Sequence, residues 1–387
     1  MRLLLQRLPL LVVLLAAISA AVFTLTQYLP GDPAFVAAGG GDATPEMVAH
    51  ARARLGLDKP LWTRYVYYVG HAVRGDFGNS IVNRKPVIED IRRYWPASLE
   101  LALAAIAISA CIGIPLGLVS AAWAGRWADR LITPASVFLG SMPIFWLGLM
   151  AVFVFYRQLD LLPAGGRLTV GLSPPPAVTG LLLVDSLVAG QGRIFVDALR
   201  HLILPATILS VISLAMITRV TRAALLDVLH EDYLRTARAK GLSEGAILLK
   251  HALRNASVPI LTIVGLQLGQ LIGGVVVTET IFSWPGLGLY AVTAVDNQDY
   301  PALLAFTLIT TAVYVTINVF VDLLYPLLSP QTRRCPRGVT SWTSSSETPA
   351  SAIGTASPTS ASRAGASRRS LRESPVTPPR RWTRRAS

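Results

Sequence analysis

The residues able to do chemistry are few and poorly arranged for catalysis. Lys59, Lys85, Lys240 and Lys250 are the only lysines, and none follows a glycine. A phosphate cradle of the form G-x-x-x-x-G-K-[ST], whose backbone amides and lysine hold nucleotide phosphates, is therefore missing, and no nucleotide is expected on this chain alone. His50, His71, His201, His230 and His251 form no His-x-x-x-His pair and have no cysteine partners, so each reads as a solvated or interfacial histidine and no metal or hydrolytic centre is expected. The ionisable residues near apolar runs are Glu100, Glu279 and Asp322, with Asn318 one turn before the last. All three sit near the ends of those runs, where interfacial placement or helix-to-helix hydrogen bonding is expected. A self-sufficient, ion-driven carrier would instead place acids near mid-membrane to bind its coupling ion.

What remains is recognition. The segment EDYLRTARAKGLSEGAILLKHALRNASVPIL, from Glu231 to Leu261, is charged and lies between two apolar segments of membrane length. Gly241 is suited to the left-handed conformation that ends a helix, Ser243 to capping the next one and Glu244 to its first turn. Two short helices are expected, the first presenting Asp232, Arg235, Arg238 and Lys240 around a small-residue surface of Thr236, Ala237 and Ala239, continued by Gly241, Leu242 and Ser243. Such a surface admits the close approach of another protein's backbone.

The elements that carry this segment follow from composition. The 387 residues are 52% hydrophobic and 15% charged, too apolar for an ordinary soluble domain. Most of the formal +13 charge lies in arginines after Gln331, so the basic balance does not indicate nucleic acid. Cys111 lies in an apolar run and Cys335 in the tail, which argues against a disulfide framework. A bilayer-crossing helix needs about 20 mostly apolar residues. Six segments qualify: Leu8 to Leu29, Leu99 to Ala122, Leu131 to Phe155, Leu202 to Thr221, Val258 to Val277 and Leu303 to Leu324.

The expected fold is thus all-α, a polytopic membrane protein of six transmembrane helices. Its parts are an uncleaved anchor over 1–30, an extracytoplasmic loop over 31–96, a transmembrane domain over 97–330 with the helix pair at 231–256, and a disordered basic tail over 331–387. Arg2, Arg7, Arg126, Arg130 and the basic 222–254 connection place those segments and both termini in the cytoplasm by the positive-inside rule. Outside the membrane, TPEMVAHARARLGL reads as a short amphipathic helix opened by Thr44 and Pro45. The apolar patch Val178 to Val188, interrupted by Asp185, is too short to span and reads as surface-lying or re-entrant. Gly113 and Gly117, and Gly265, Gly269 and Gly273, repeat the Gly-x-x-x-Gly spacing that lets membrane helices approach closely, either within the chain or toward a second membrane subunit.

With these elements in view, the chain resembles the permease subunit of an ABC importer of the dipeptide, oligopeptide and nickel branch. The resemblance rests on LPGDPA (29–34), RLGLDKPLWTRY (54–65), RGDFGNS (74–80), PASLELA (96–102), SMPIFWLG (141–148), DALRHLILPA (197–206), DYLRTARAKGLSE (232–244), HALRN (251–255), ETIFSWPGLG (279–288) and DLLYPLLSP (322–330). In the loop written E-A-A-x-x-x-G in this superfamily, Arg235, Thr236 and Ala237 take the first three places and Gly241 the glycine. Leu253 fits the leucine of the later I-x-L-P, and Arg254 replaces its proline, the usual form in this branch. The resemblance implies that the loop docks into an ATPase subunit. It also implies a second related permease, two ATPase domains holding ATP and Mg, an extracytoplasmic solute-binding protein, and residence in a bacterial or archaeal plasma membrane. Peptides are the implied substrates, with nickel chelates or another small solute as the alternative.

Overall fold

The computed structural model describes residues 13, 15–26, 32–54 and 56–328. The expected tail, and the ends of the expected first span, lie outside the described residues. The described residues form helices and no strand, apart from an isolated bridge between Asn79 and Pro86. The helices ahead of the first long one are α1 (Leu15–Thr26), α2 (Pro33–Ala38), α3 (Pro45–Arg54) and α4 (Leu61–Ala72). The remainder are α5 (Val87–Ala122), α6 (Trp127–Ser141), α7 (Ile144–Ala151), α8 (Leu182–Val188), α9 (Gly192–Leu229), α10 (Asp232–Ala239), α11 (Glu244–Ala246), α12 (Leu253–Gly274), α13 (Val276–Ile281), α14 (Leu287–Asp296) and α15 (Tyr300–Leu328). α3 opens as expected, Met47 N–H donating to Thr44 Oγ1 at 3.3 Å, but Ala51 is its only buried residue among those described.

Among the described residues four helices are long and apolar enough to cross a membrane: α5, α9, the continuous run Glu244–Gly273 and Tyr300–Phe320. At 1.5 Å per residue the 36 residues of α5 reach about 54 Å, well beyond a hydrocarbon core of about 30 Å. Its apolar run begins at Leu99, so its first three turns precede the apolar stretch, and a domain boundary at 96 falls inside this helix. The expected third span is not one straight helix, because α6 and α7 meet at 96°. The break falls at Met142, held extended at φ −76° and ψ 139° by the following Pro143, whose ring disfavours the helical conformation of its predecessor. α7 continues through a π-helical stretch, Val152–Gln158.

α5 and α9 form the centre. Buried Leu101, Ala105 and Ile106 of α5 pack with Leu202, Leu209 and Ile217 of α9 and with Leu271, Ile272 and Val275 at the end of α12. Gly113 and Gly117 permit this approach. A Cβ on Gly117 would lie 2.6 Å from Thr221 Cβ and 2.7 Å from the Thr218 carbonyl, and one on Gly113 would lie 3.2 Å from Ile217 and from the Leu214 carbonyl. The second glycine stripe does not act as a unit. A Cβ on Gly269 would lie 3.3 Å from the Tyr314 ring of α15, Gly265 is half-buried, and a Cβ on Gly273 would meet no described atom within 4 Å. Among the described residues a side chain at Gly273 would thus meet no neighbouring helix, so the expected stripe is not packed along its whole length within the chain.

Candidate functional site

The charged segment folds as a helix and a turn leading into a long helix. α10 is followed by Lys240 and by Gly241 at φ +79°, a left-handed conformation that a side chain would strain. The turn is closed by Gly241 N–H to the Arg238 carbonyl at 2.9 Å and Leu242 N–H to the Ala237 carbonyl at 3.3 Å. Ser243 caps α11, its hydroxyl accepting from Ala246 N–H at 3.4 Å. The expected second short helix is not separate. From Glu244 the helix runs through a π-helical stretch, Ile247–Ala252, directly into α12.

α10 has two faces. Leu234 and Ala237 point inward and pack with Ala224 and Leu225 of α9 and with Ile247, Ala252 and Ala256. Ala237 is buried, so it supports the helix from beneath and is not part of the presented surface, a second correction. Arg238 reaches across the turn to Glu244, Nε to Oε1 at 2.9 Å, and Tyr233 accepts a hydrogen bond from Asn255 at 2.5 Å. Asp232, Arg235, Thr236, Ala239, Lys240, Gly241, Leu242 and Ser243 remain exposed. The solvent face thus offers three small side chains, Thr236, Ala239 and Ser243, with Asp232, Arg235, Lys240 and Leu242, on a segment pinned to the end of α9 and the start of the α11–α12 helix.

Close to this face, the sequence reading passed over a buried carboxylate. Asp129, in the first turn of α6, holds Arg222 of α9 by two bonds of 2.7 and 2.8 Å and accepts from Ser120 Oγ at 2.6 Å and Gly125 N–H at 2.8 Å. This fastens α5, α6 and α9 together two turns before α9 ends. Arg222 had figured only as a loop charge, because its partner lies 93 residues away.

At the other end of α5, the motifs PASLELA and ETIFSWPGLG meet. Glu279 is fully buried and accepts from Ser98 Oγ at 2.5 Å and from Gly288 and Leu289 N–H at 2.7 and 3.0 Å, so it caps the start of α14. Gly286 has no room for a Cβ, which would collide with that carboxylate. Trp284, also buried, donates to the Ala97 carbonyl at 2.9 Å. Glu100 pairs with Arg167 at 2.5 Å and accepts from Leu183 N–H at 2.7 Å, which ties the 158–181 connection and α8 to α5. Asp185 is buried at the start of α8. Burial raises its pKa, but hydrogen bonds from Thr179 N–H, Thr179 Oγ1 and Gly180 N–H outweigh that and hold it below the usual carboxylate range. His201 is buried and bonds through Nδ1 to the Asp197 carbonyl at 2.9 Å, so it is not a solvated histidine. These polar groups brace helices. Among the described residues no group of three or more His, Cys, Asp or Glu is placed to hold a metal ion.

Residues 113–334 match the family described as binding-protein-dependent transport system inner membrane component, and residues 1–102 match its N-terminal companion. The chain belongs to this family. It is the membrane-spanning permease subunit of an ABC importer, a transport subunit of the inner membrane. The permease is 44% identical to the probable D,D-dipeptide transport system permease protein DdpB of Escherichia coli K12, over 84% of this chain and 95% of that protein. It is 43% identical to the di/tripeptide transport system permease protein DppB of Pseudomonas aeruginosa (85% and 97% covered) and 38% identical to the glutathione transport system permease protein GsiC of Escherichia coli O1:K1 (85% and 97%). Among solved structures, an inward-facing MetNI methionine ABC transporter chain gives a TM-score of 0.45 at 15% identity, covering 60% of this permease and 93% of that chain, a likeness too slight to carry an argument.

Proposed function

We propose that this permease forms half of a peptide-import pathway and that the exposed face of α10 is where a separate ATPase subunit, carrying ATP and Mg, docks. The observation that carries the reading is the contrast between the two faces of α10. Leu234 and Ala237 are buried against both α9 and the α11–α12 helix, while Thr236 and Ala239, between Arg235 and Lys240 in the chain, and Leu242 beyond them are left open. A partner's backbone can approach the small side chains closely. Any displacement of α10 must then drag two long helices with it, because a packed core moves as a unit.

Six crossings complete the scheme: the segment containing α1, then α5, the bent α6–α7 pair, α9, α11–α12 and α15. The basic connections at 123–126 and 230–243 then face the cytoplasm together with both termini. The opposite end, built on Glu279 and Glu100, faces a solute-binding protein, and a second, related permease supplies the other wall. The substrate is a di- or tripeptide, in keeping with relatives named for D,D-dipeptides, di- and tripeptides and glutathione.

The test is uptake in vesicles holding this permease, its partner permease and the ATPase, supplied with the binding protein. Labelled dipeptide should accumulate only with ATP, and unlabelled dipeptide should compete where a nickel chelate does not. Accumulation that follows an ion gradient without the ATPase would overturn the reading.

A further inference from the structure

We infer that the cleft between the turn at 169–172 and the first turns of α9 is a binding site for the C-terminal carboxylate of a peptide, received by Arg193 and Arg200. The inference deepens the peptide-import reading and rests on it. The cleft holds about 770 Å³, within the roughly 300–1,000 Å³ of small-molecule sites. It lies just ahead of Leu202, where the apolar run of α9 begins. Its outer wall is built by the fold. The turn is closed by Leu172 N–H donating to the Thr169 carbonyl at 3.1 Å, with Gly171 at φ +97°, in the left-handed region that favours glycine. Three anchors hold the segment that leads into it. Gly166 N–H donates to the Phe282 carbonyl at 2.9 Å just past α13, Arg167 pairs with Glu100 of α5, and Thr169 donates to Asp197 of α9 through N–H at 2.8 Å and Oγ1 at 2.7 Å. A wall fixed in this way spends little ordering entropy when a ligand enters.

Two cations face this space without partners. Arg193 and Arg200 both line the cleft and are seven residues apart, about two turns, so they stand on one side of α9. Among the described residues neither guanidinium forms an ion pair or a hydrogen bond. Asp197 lies between them, but its oxygens are committed to Thr169, one of them also 3.6 Å from His201 Nδ1, and it acts on Arg200 only at longer range. With two arginines against one aspartate, the lining is net positive.

The rest of the lining fits a small ligand better than the lone acidic side chain of a partner protein. Val170, Leu172 and Val196 supply an apolar wall, and Gly171 and Gly192 leave room beside it. Apolar walls with a few convergent polar groups are the pattern of a small-molecule site. A guanidinium matches a carboxylate in charge and in plane, through two parallel N–H···O bonds. A di- or tripeptide carries that carboxylate on a body of the size the cleft admits.

The experiment follows, by mass spectrometry, how fast phenylglyoxal modifies each arginine of the wild-type transporter, assembled in nanodiscs without its binding protein. Alanyl-alanine should slow modification of Arg193 and Arg200 several-fold. Its C-terminal amide, or sodium chloride at equal ionic strength, should not, and the exposed Arg84 and Arg92 should be unaffected. No protection, equal protection by the amide, or equal protection of Arg84 and Arg92 would overturn the inference. Protection by the peptide-free binding protein alone would also overturn it and make the cleft a docking surface. Slower modification in phosphatidylglycerol than in phosphatidylcholine nanodiscs, with no effect of dipeptide, would overturn it in favour of a lipid headgroup. ATP-driven dipeptide uptake by the same assembly, with binding protein restored, separates the two readings. Uptake with unprotected arginines fails this inference alone, whereas absence of uptake fails the import reading.

Discussion

Substituting Gly241 separates backbone strain from steric exclusion at the α10 turn. Its φ of +79° costs an L-residue roughly 1–2 kcal/mol, and a Cβ there would meet nothing within 4 Å, so Gly241→Ala applies the conformational penalty with no clash inside the chain. A penalty of that size lowers the population of the native turn about five- to thirty-fold relative to its unfolded alternatives, while the long helices, which do not depend on this residue, insert normally. Asn tolerates the left-handed region, so Gly241→Asn should retain most transport. Gly241→Glu combines the strain of alanine with a bulky, charged side chain on the proposed docking face. ATP-driven peptide uptake in vesicles, beside pull-down of the ATPase, should rank the variants as wild type, Asn, Ala and Glu. The glutamate variant should be present in the membrane yet inactive, its ATPase either dissociated or hydrolysing ATP without moving peptide. Wild-type transport by both Gly241→Ala and Gly241→Glu would mean that neither the turn's conformation nor its outer surface couples the subunits.

Glu244→Ala should be nearly silent in the same assay, because its ion pair with Arg238 is exposed on both sides, and such pairs contribute about 0–1 kcal/mol. Gly117→Ala should destabilise the folded protein by about 1–3 kcal/mol and lower its melting temperature, since even a methyl group would lie 2.7 Å from the Thr218 carbonyl oxygen; unchanged melting would show that α5 and α9 can separate at no cost. Gly269→Ile should lower membrane abundance by pressing on Tyr314 whereas Gly273→Ile should not, and immunoblots of membranes will separate the two. Asp129→Asn leaves Arg222 without its counter-charge and should destabilise by about 3 kcal/mol, the low end for a broken buried pair because the Arg222 side chain is 30% exposed; a double-mutant cycle with Arg222→Gln that gives no coupling would refute the pairing.

Some of this protein was legible without coordinates, because the governing forces act locally along the chain. Apolar run length against bilayer thickness marked the long helices, and the alternation of glycine, serine and glutamate at 241–244 marked the stop and restart after α10. Turn and cap chemistry depends on neighbours three or four residues away. Tertiary structure decided the rest. Ala237 and Ala239 are the same residue type two positions apart, and only packing of α10 on Ile247 and Ala252 buries the first and leaves the second open. Gly269 and Gly273 share a spacing, but among the described residues a side chain only at the first would meet a neighbouring helix. Ser98 and Glu279 meet across 181 residues of chain, and Arg222 and Asp129 across 93. In a membrane protein apolarity covers lipid-facing and packed faces alike, so hydrophobic pattern loses the power to separate inside from outside that it has in water. Which polar residues find partners is settled only when the helices are side by side.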